Sequence, residues 1–252
     1  MKRKNQNKRK TTLGIIRKII ETFSFKQFDV FQNSNVFKIS TEACLFAASL
    51  PVEYLYQNAL EVGSGTGVIS LMLAQRHPNL KIEALDIDRE AFELTSKNFR
   101  ASPWNLNLEA HLADFRNFKS EHNFDLIFSN PPFFFNSLKS SNQKKNQAKH
   151  LLDFNHTELL SFASENLNQN GEIWLLLPEK ESLDLQSRCP DDLFLFKLIE
   201  VKKWKNTPTF RHFLGFSKTQ KTLEKEELLI YDEGLNYSRR AFELLQAFYL
   251  KL

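Results

Sequence analysis

The chain of 252 residues carries a net charge of +4, and its 42% hydrophobic and 25% charged residues are typical of one soluble domain with a buried core. Its longest apolar runs, such as residues 173–177, fall far short of the roughly 20 residues that cross a bilayer, which argues against a membrane protein. Because Arg17 and Lys18 interrupt the first apolar segment, we also expect no secretory signal and a cytoplasmic location.

The positive charge is concentrated at the N-terminus. Residues 1–10 contain six of the 34 basic residues and no acid, so the rest of the chain is close to neutral. We interpret residues 1–22 as a basic tail and residues 23–252 as the folded domain. Such a tail is either a disordered, solvated segment or an arm that binds nucleic acid, and its composition favours neither alternative.

The central part of the chain alternates between two kinds of predicted element. Residues 41–50 are predicted as a helix that Pro51 stops. Beyond residue 58, short apolar runs alternate with helical segments, which is the pattern of βαβ units and a mostly parallel sheet. Predicted strands cover residues 59–62, 81–86, 106–112, 124–129 and 172–177, and predicted helices cover residues 67–76, 90–99 and 156–166.

The last part of the chain predicts how the sheet closes. Residues 193–201 and 210–216 are predicted as an antiparallel pair, and residues 226–252 as a short strand, a turn at Gly234 and a final amphipathic helix. The predicted fold class is therefore α/β. We expect a Rossmann-like, seven-stranded, mostly parallel sheet with an antiparallel last strand and helices on both faces.

A glycine-rich turn follows the strand predicted at residues 59–62. Gly63, Gly65 and Gly67 let the backbone turn sharply and come close to a ligand that faces the next helix. A dinucleotide fingerprint would need a glycine at Val68, and a phosphate-binding loop would need a lysine after its last glycine. The spacing after the acid Glu61 instead indicates S-adenosylmethionine, a nucleoside that carries an amino acid.

Three acids stand at strand ends where this cofactor would need them. Asp86 is placed to accept hydrogen bonds from two ribose hydroxyls. Asp114 is placed to accept from the adenine amino group, while Ile87 or Phe115 packs against the ring. Glu61 either pairs with the positive amino group of the cofactor or holds the glycine turn. As alternatives, the two aspartates merely cap helices and Glu61 is a solvated carboxylate.

A second motif, Asn130-Pro131-Pro132-Phe133, follows the fourth predicted strand. The amino group of a planar base is a poor nucleophile because its lone pair is delocalised into the ring. If the Asn130 side-chain oxygen and the Pro131 carbonyl accept its two N–H bonds, the lone pair is directed at the methyl donor. Phe133 is then placed to stack on the base. An ordinary turn is the alternative interpretation of the two prolines.

Two further features complete the sequence-based expectations. Cys44 and Cys189 are far apart and have no His or Cys at ligand spacing, so we expect two buried thiols, no disulfide and no metal site. A candidate basic and aromatic surface, or a solvated hairpin loop, is formed by Lys202, Lys203, Trp204, Lys205 and Arg211.

With these motifs in place, the chain resembles class I methyltransferases, and more narrowly the bacterial tRNA(Val) adenine methyltransferases. Those enzymes methylate the exocyclic amino group of adenine 37, beside the anticodon. The resemblance covers about residue 23 to the C-terminus. Apart from the two motifs, it is carried by residues 25–28, 36–41, 102–104, 177–179, 236–238 and 246–250.

This resemblance implies S-adenosylmethionine as cofactor and tRNA as substrate, and we expect a monomer that binds no membrane. It also implies that Lys38 and Thr41 lie in the segment that closes over the methionine end of the cofactor. Family members commonly have Asp-Gly after the threonine, where this chain has Glu42-Ala43, and Arg at the position of Lys149. Lysine lacks the bidentate geometry with which arginine contacts phosphate in a substrate.

Other acceptors fit the same chemistry. Asn-Pro-Pro followed by an aromatic residue also serves enzymes that methylate a guanine of ribosomal RNA or a glutamine side chain of a release factor. A third alternative is a protein that keeps the cofactor fold but acts only in RNA binding or assembly. The intact motif at residues 130–133 argues against that alternative.

Overall fold

The computed structural model describes residues 20–33, 36, 38–52, 55–131, 155–234 and 236–252. Ten strands lie within these residues: β1 (Ile20–Ser24), β2 (Asp29–Asn33), β3 (Asn58–Val62), β4 (Lys81–Asp86), β5 (Leu108–Leu112), β6 (Phe124–Ser129), β7 (Leu167–Leu177), β8 (Phe194–Lys202), β9 (Arg211–Ser217) and β10 (Glu224–Leu229). The helices are α1 (Thr41–Ser49), α2 (Val68–Arg76), α3 (Arg89–Ala101), α4 (His156–Asn166), α5 (Glu179–Gln186) and α6 (Arg239–Leu245), with a 3-10 turn at Phe115–Asn117.

The main sheet has eight strands in the order β10-β8-β9-β7-β6-β3-β4-β5. Neighbouring strands run parallel except where β9 lies between β7 and β8, antiparallel to both. The Rossmann-like α/β prediction is confirmed, and so is the antiparallel orientation of the seventh predicted strand. The predicted count of seven strands is wrong, because β10 adds an eighth that runs parallel to β8.

Ion pairs explain how β10 joins the sheet despite its polar sequence. Lys197 of β8 contacts Glu224 at 2.9 Å and also pairs with Glu226, while Lys202 pairs with Glu227. The short strand predicted at the start of residues 226–252 corresponds to β10, but its polar sequence lacks the period-two hydrophobicity from which a place in the sheet could be predicted. Cross-strand charge pairs supply the stabilisation that apolar side chains provide elsewhere.

Two apolar cores lie on opposite faces of the sheet. Helices α1, α2 and α6 pack on one face, against alternate residues such as Leu126 and Phe128 of β6. Helices α4 and α5 pack on the other, against residues such as Ile127 and Ile173. Because side chains alternate across a strand, this arrangement confirms helices on both faces.

An antiparallel hairpin of β1 and β2 precedes the sheet, and no strand was predicted there. Phe25 stacks on Phe28 with ring centroids 4.6 Å apart, and Lys26 N donates to the Phe248 carbonyl at 2.7 Å, which joins the hairpin to the C-terminus. Strand β1 begins three residues before the predicted start of the domain, and residues 1–19 of the predicted tail lie outside the described residues.

Local capping accounts for the helix ends around the sheet. Ser40 accepts from the backbone N–H of Ala43 at the start of α1, and Pro51 follows its last turn as predicted. Asp88 accepts from two backbone N–H groups at the start of α3. None of the described helices is long and apolar enough to cross a membrane.

Candidate active site

The glycine turn lies between β3 and α2, at the edge of the sheet where the parallel strands end. Gly63, Gly65 and Gly67 have φ angles of +77°, +57° and +73°, which side-chain-bearing residues rarely adopt. The backbone N–H groups of Gly63 and Ser64 both donate to the Leu85 carbonyl, at 2.8 and 3.0 Å. The turn is therefore fixed to the end of β4, where the next predicted site residue lies.

The two ends of this turn face different surroundings. A Cβ atom at Gly63 would meet nothing within 4 Å, so the backbone there borders open space. At Gly67, a Cβ would lie 2.8 Å from Cε1 of Phe99 and 3.0 Å from Cγ2 of Thr95. Gly67 is thus required for packing of α2 against α3, whereas Gly63 leaves room for a ligand to approach the backbone.

Asp86 ends β4 and braces the turn. Its Oδ2 atom accepts from the Gly65 N–H at 2.9 Å, and its Oδ1 atom accepts from the Asp88 N–H at 2.9 Å. A carboxylate has about four acceptor positions, so one carboxylate can bond to the turn and also accept from hydroxyl groups. The predicted ribose contact stays a prediction, and the structure adds a bond from the same carboxylate to the glycine turn.

Glu61 is fully buried under the turn, with 1% of its surface exposed. The Ser70 hydroxyl of α2 donates to its Oε2 atom. Burial raises the pKa of the Glu61 carboxyl to about 8, the Ser70 bonds oppose this rise, and the Asp86 charge adds to it. The alternative of a solvated carboxylate is thus wrong, and the bond to α2 supports a role in holding the turn.

Asp114 follows β5 at the same edge. Its carboxylate accepts from the backbone N–H and the Nε–H of Arg116, each at 3.0 Å, so it caps the short 3-10 turn. Phe115 is buried, with its ring centroid 5.7 Å from that of Phe162 in the core on the α4 side. Ile87 is 45% exposed and thus the more accessible of the two side chains predicted to pack against adenine, and that contact stays a prediction for both.

Polar residues on the buried face of α3 support the turn, and the sequence-based prediction missed them. The Asn98 side chain donates to the carbonyls of Thr66 at 2.8 Å and Phe31 at 2.9 Å, and accepts from the Phe31 N–H at 2.9 Å. The Thr95 hydroxyl donates to the Gly65 carbonyl at 3.0 Å. The sequence contained one signal for them, because Thr95 and Asn98 occupy positions of an amphipathic helix that are normally apolar.

The segment between β2 and α1 approaches the turn through Val36. A Cβ at Gly65 would lie 3.9 Å from Cγ1 of Val36. Lys38 instead forms an exposed ion pair with Glu21 of β1 at 2.7 Å. Thr41 starts α1, and its side chain partly offsets the rise that burial causes in the pKa of Tyr237 in the C-terminal region. The structure therefore brings the segment to the turn but shows no contact of Lys38 or Thr41 with it.

Asn130 and Pro131 follow β6 directly beside the turn. Val62 of β3 pairs with Ser129 of β6, and the Ser129 hydroxyl donates to the Val62 carbonyl at 2.6 Å. The Oδ1 atom of Asn130 is buried, and no described residue donates a hydrogen bond to it. Pro132, Phe133 and Lys149, which the sequence analysis singled out, lie outside the described residues.

These residues fit S-adenosylmethionine. Open backbone at Gly63 and the Asp86 carboxylate beside it suit a ribose, and the carboxyl groups of Glu61 and Asp114 suit the amino groups at the two ends of such a molecule. A buried carbonyl oxygen without a donor costs free energy, roughly 1–3 kcal/mol, unless a ligand supplies one. Asn130 Oδ1 is such an oxygen, and it is suited to receive an amino group of the methyl acceptor.

Known proteins share this architecture. The family model "Methyltransferase small domain" matches residues 26–185. Among solved structures, a predicted O-methyltransferase from Agrobacterium tumefaciens superposes with a TM-score of 0.64 at 13% identity, covering 81% of this chain and 95% of that one. A methyltransferase from Pyrococcus furiosus superposes with a TM-score of 0.55 at 26% identity, covering 77% and 90%.

Curated relatives match over nearly their whole length. The tRNA1(Val) (adenine(37)-N6)-methyltransferase of Flavobacterium psychrophilum is 34% identical over 91% of this chain and 100% of its own length. The enzyme of the same name from Christiangramia forsetii is 35% identical over 92% and 99%. The enzyme from Vibrio vulnificus is 35% identical over 91% and 96%. The chain therefore belongs to the tRNA1(Val) (adenine(37)-N6)-methyltransferase family of S-adenosylmethionine-dependent enzymes.

Proposed function

We propose that this protein transfers a methyl group from S-adenosylmethionine to the exocyclic amino group of an adenine in tRNA, namely adenine 37 of tRNA1(Val). The observation that carries the reaction type is the buried Oδ1 atom of Asn130, which accepts from no described residue and lies one residue beyond the Val62–Ser129 pair. The choice of adenine and of tRNA is supported by the curated relatives.

The residues around the glycine turn hold the cofactor in this proposal. Asp86 accepts from the ribose hydroxyls, Asp114 from the adenine amino group, and Glu61 faces the ammonium group. Bound there, S-adenosylmethionine supplies an electrophilic methyl group on a positively charged sulfur. An ammonium group near Glu61 would favour its ionised form, so that cofactor binding around neutral pH releases a proton from this carboxyl.

Asn130 and Pro131 act on the acceptor. The Asn130 side-chain oxygen and the Pro131 carbonyl accept the two N–H bonds of the adenine amino group, which draws the nitrogen out of conjugation with the ring. The nitrogen lone pair then points at the methyl group instead of into the base. The new N–C bond would form as the bond from the methyl carbon to the sulfur breaks, and one of the two N–H protons would then pass to water, so no base has to act before the attack.

The proposal extends to the partners and the location of the protein. It acts on tRNA as a monomer in the cytoplasm and uses no metal. Among the described residues, no three His, Cys, Asp or Glu side chains are grouped so that they could hold a metal ion. The described helices likewise include none that could cross a membrane.

The test is methyl transfer from labelled cofactor to total RNA and, separately, to total protein from a strain that lacks the gene. We expect label in tRNA, and nucleoside mass spectrometry should identify N6-methyladenine at position 37 of tRNA1(Val). Label in ribosomal RNA guanine or in a release-factor glutamine would support one of the alternative acceptors. No transfer to either pool would favour a non-catalytic RNA-binding role.

A further inference from the structure

A short connection of residues 203–210 joins β8 to β9, and we refer to it as the β8–β9 turn. Strand β8 runs in the same direction as β6 and β7, because β9 is antiparallel to both of its neighbours. The turn therefore leaves the sheet at the edge where Asn130 follows β6. This places the turn on the side of the molecule that an RNA substrate has to approach.

The turn exposes cations and an indole ring together. Lys203 and Lys205 are exposed, and no carboxylate of the described residues forms an ion pair with either of them. By contrast, Lys202 at the end of β8 pairs with Glu227. Trp204, between the two exposed lysines, has 37% of its surface exposed, whereas Trp174 is buried.

Hydrogen bonds hold the turn in one shape. The Trp204 N–H donates to the Thr207 hydroxyl at 3.1 Å, and that hydroxyl donates to the Trp204 carbonyl at 2.8 Å. The Tyr231 N–H donates to the Lys203 carbonyl at 2.9 Å. A fixed turn loses little conformational entropy when a ligand binds, which favours binding.

A series of side-chain contacts connects the turn with the segment that precedes the fold. The ring of Trp204 lies 5.8 Å from that of Tyr231, and Tyr231 stacks on Tyr237 at 5.5 Å. Burial raises the pKa of the Tyr237 hydroxyl, and the nearby side chain of Thr41, the first residue of α1, opposes this rise. Arg211, which follows the turn, lies 3.9 Å from Glu42. These contacts connect the β8–β9 turn with the start of α1, which the resemblance places beside the cofactor.

We propose that the β8–β9 turn binds the RNA substrate outside the target base, with Lys203 and Lys205 on backbone phosphates and Trp204 stacked on an unpaired base. This inference rests on the proposed function and assigns to that substrate a second contact surface. Alternating cations and an exposed aromatic ring suit a single-stranded nucleotide, because the base offers a π face and the phosphate a negative charge. A small cofactor bound at the glycine turn would not extend to this surface.

The experiment measures tRNA binding and methylation for two variants of the turn. The double variant Lys203→Gln/Lys205→Gln should raise KM for tRNA about tenfold, leave kcat within about twofold, and reduce the salt slope of binding by about 1.4. Trp204→Ala should weaken tRNA binding by about 5- to 100-fold, and Trp204→Phe should recover part of it because a ring is retained. Affinity for S-adenosylmethionine should not change in any of these proteins.

The matched control is Lys81→Gln/Lys225→Gln, which removes the same charge from two exposed lysines. They lie at the starts of β4 and β10, at the edge of the sheet opposite to the β8–β9 turn. We expect this control to bind tRNA within about twofold of the unmodified protein. Equal tRNA binding by the turn variants and the unmodified protein would overturn the inference, as would equal losses in the turn variants and the control. If the unmodified protein methylates no RNA, the proposed function itself is wrong, which is a separate result.

Discussion

The cofactor side and the acceptor side of the site differ in how far the protein itself satisfies their polar groups. At the glycine turn, backbone groups of Gly63, Ser64 and Gly65 bond to β4, and Thr95 and Asn98 hold the turn from α3. At the end of β6, which pairs with β3, the Asn130 oxygen is buried and accepts from no described residue.

This difference separates two tasks. A turn whose bonds are already made binds a ligand without reorganising, so changes there alter stability and cofactor affinity. An acceptor oxygen that lacks a donor is completed only by the substrate, so a change there alters turnover. The following changes test that division, beginning with the largest expected effect.

Asn130→Ala should lower kcat by about 10²- to 10³-fold, because a preorganised group that acts on the reacting nitrogen is lost. Calorimetric affinity for S-adenosylmethionine should stay within about twofold, since the proposed partner of Asn130 is the acceptor and not the cofactor. Ser129→Ala, which removes the bond to the Val62 carbonyl one residue earlier, serves as a control for local disturbance. An Asn130→Ala protein with normal turnover would contradict the proposed mechanism.

Gly67→Ala should lower the free energy of unfolding by about 2–3 kcal/mol, as measured by urea denaturation. The added methyl group would lie 2.8 Å from Phe99, and the backbone at φ +73° disfavours any side chain. Gly63→Ala is the matched change at open space, where we expect only about 1–2 kcal/mol from the backbone but a clear loss of cofactor affinity. Equal unfolding free energies for the two variants would argue against the difference in their surroundings.

Glu61→Gln should change how stability depends on pH. Burial raises the pKa of this carboxyl from 4.5 to about 8 in the folded protein, so its contribution to stability is complete below pH 4.5 and is lost as the pH rises through 8. Between pH 6 and 8 this loss amounts to about 2 kcal/mol in the cofactor-free protein. The variant, which cannot ionise, should lack this decline. Parallel pH profiles of unfolding for the two proteins would show that Glu61 is not the group responsible.

Asp86→Ala should weaken cofactor binding by about 10- to 30-fold, because it removes the proposed ribose acceptor and the bond to Gly65. Asp86→Asn keeps one oxygen acceptor and should lose less. Isothermal calorimetry gives both affinities. An unchanged affinity in Asp86→Ala would rule out the ribose contact. Asp86 would then serve only to hold the glycine turn through its bond to Gly65.

Sequence patterns located the strands that carry the site but not the elements that depend on distant partners. The predicted strands at residues 81–86 and 124–129 coincide with β4 and β6, because their apolar runs are short and end at turn residues. Strand β7 begins five residues before its predicted start. Its polar first part pairs through Leu167 with Phe124, and Asn168 donates to Asp125 at 2.6 Å, contacts that no local pattern reveals.

The same limit applies to the site. The relative placement of Gly65 and Asp86 could be predicted because both belong to one βαβ unit. In the structure, the Gly65 N–H donates to Asp86 Oδ2 at 2.9 Å. The role of Phe115 could not be decided from the sequence, since an aromatic residue after a strand suits both a ligand and a core, and its predicted contact with adenine stays a prediction beside its packing against Phe162. Asn98 was missed because its partners, Phe31 and Thr66, belong to separate parts of the chain.

Strand β10 affects how readily the protein associates with other copies of itself. It forms one edge of the main sheet, and an uncovered edge offers unpaired backbone groups to which a strand of another molecule can add. Its first four residues, Glu224-Lys225-Glu226-Glu227, are all charged and exposed. A second β10 approaching edge to edge would bring like charges together, so the eighth strand protects the sheet from aggregation through this edge.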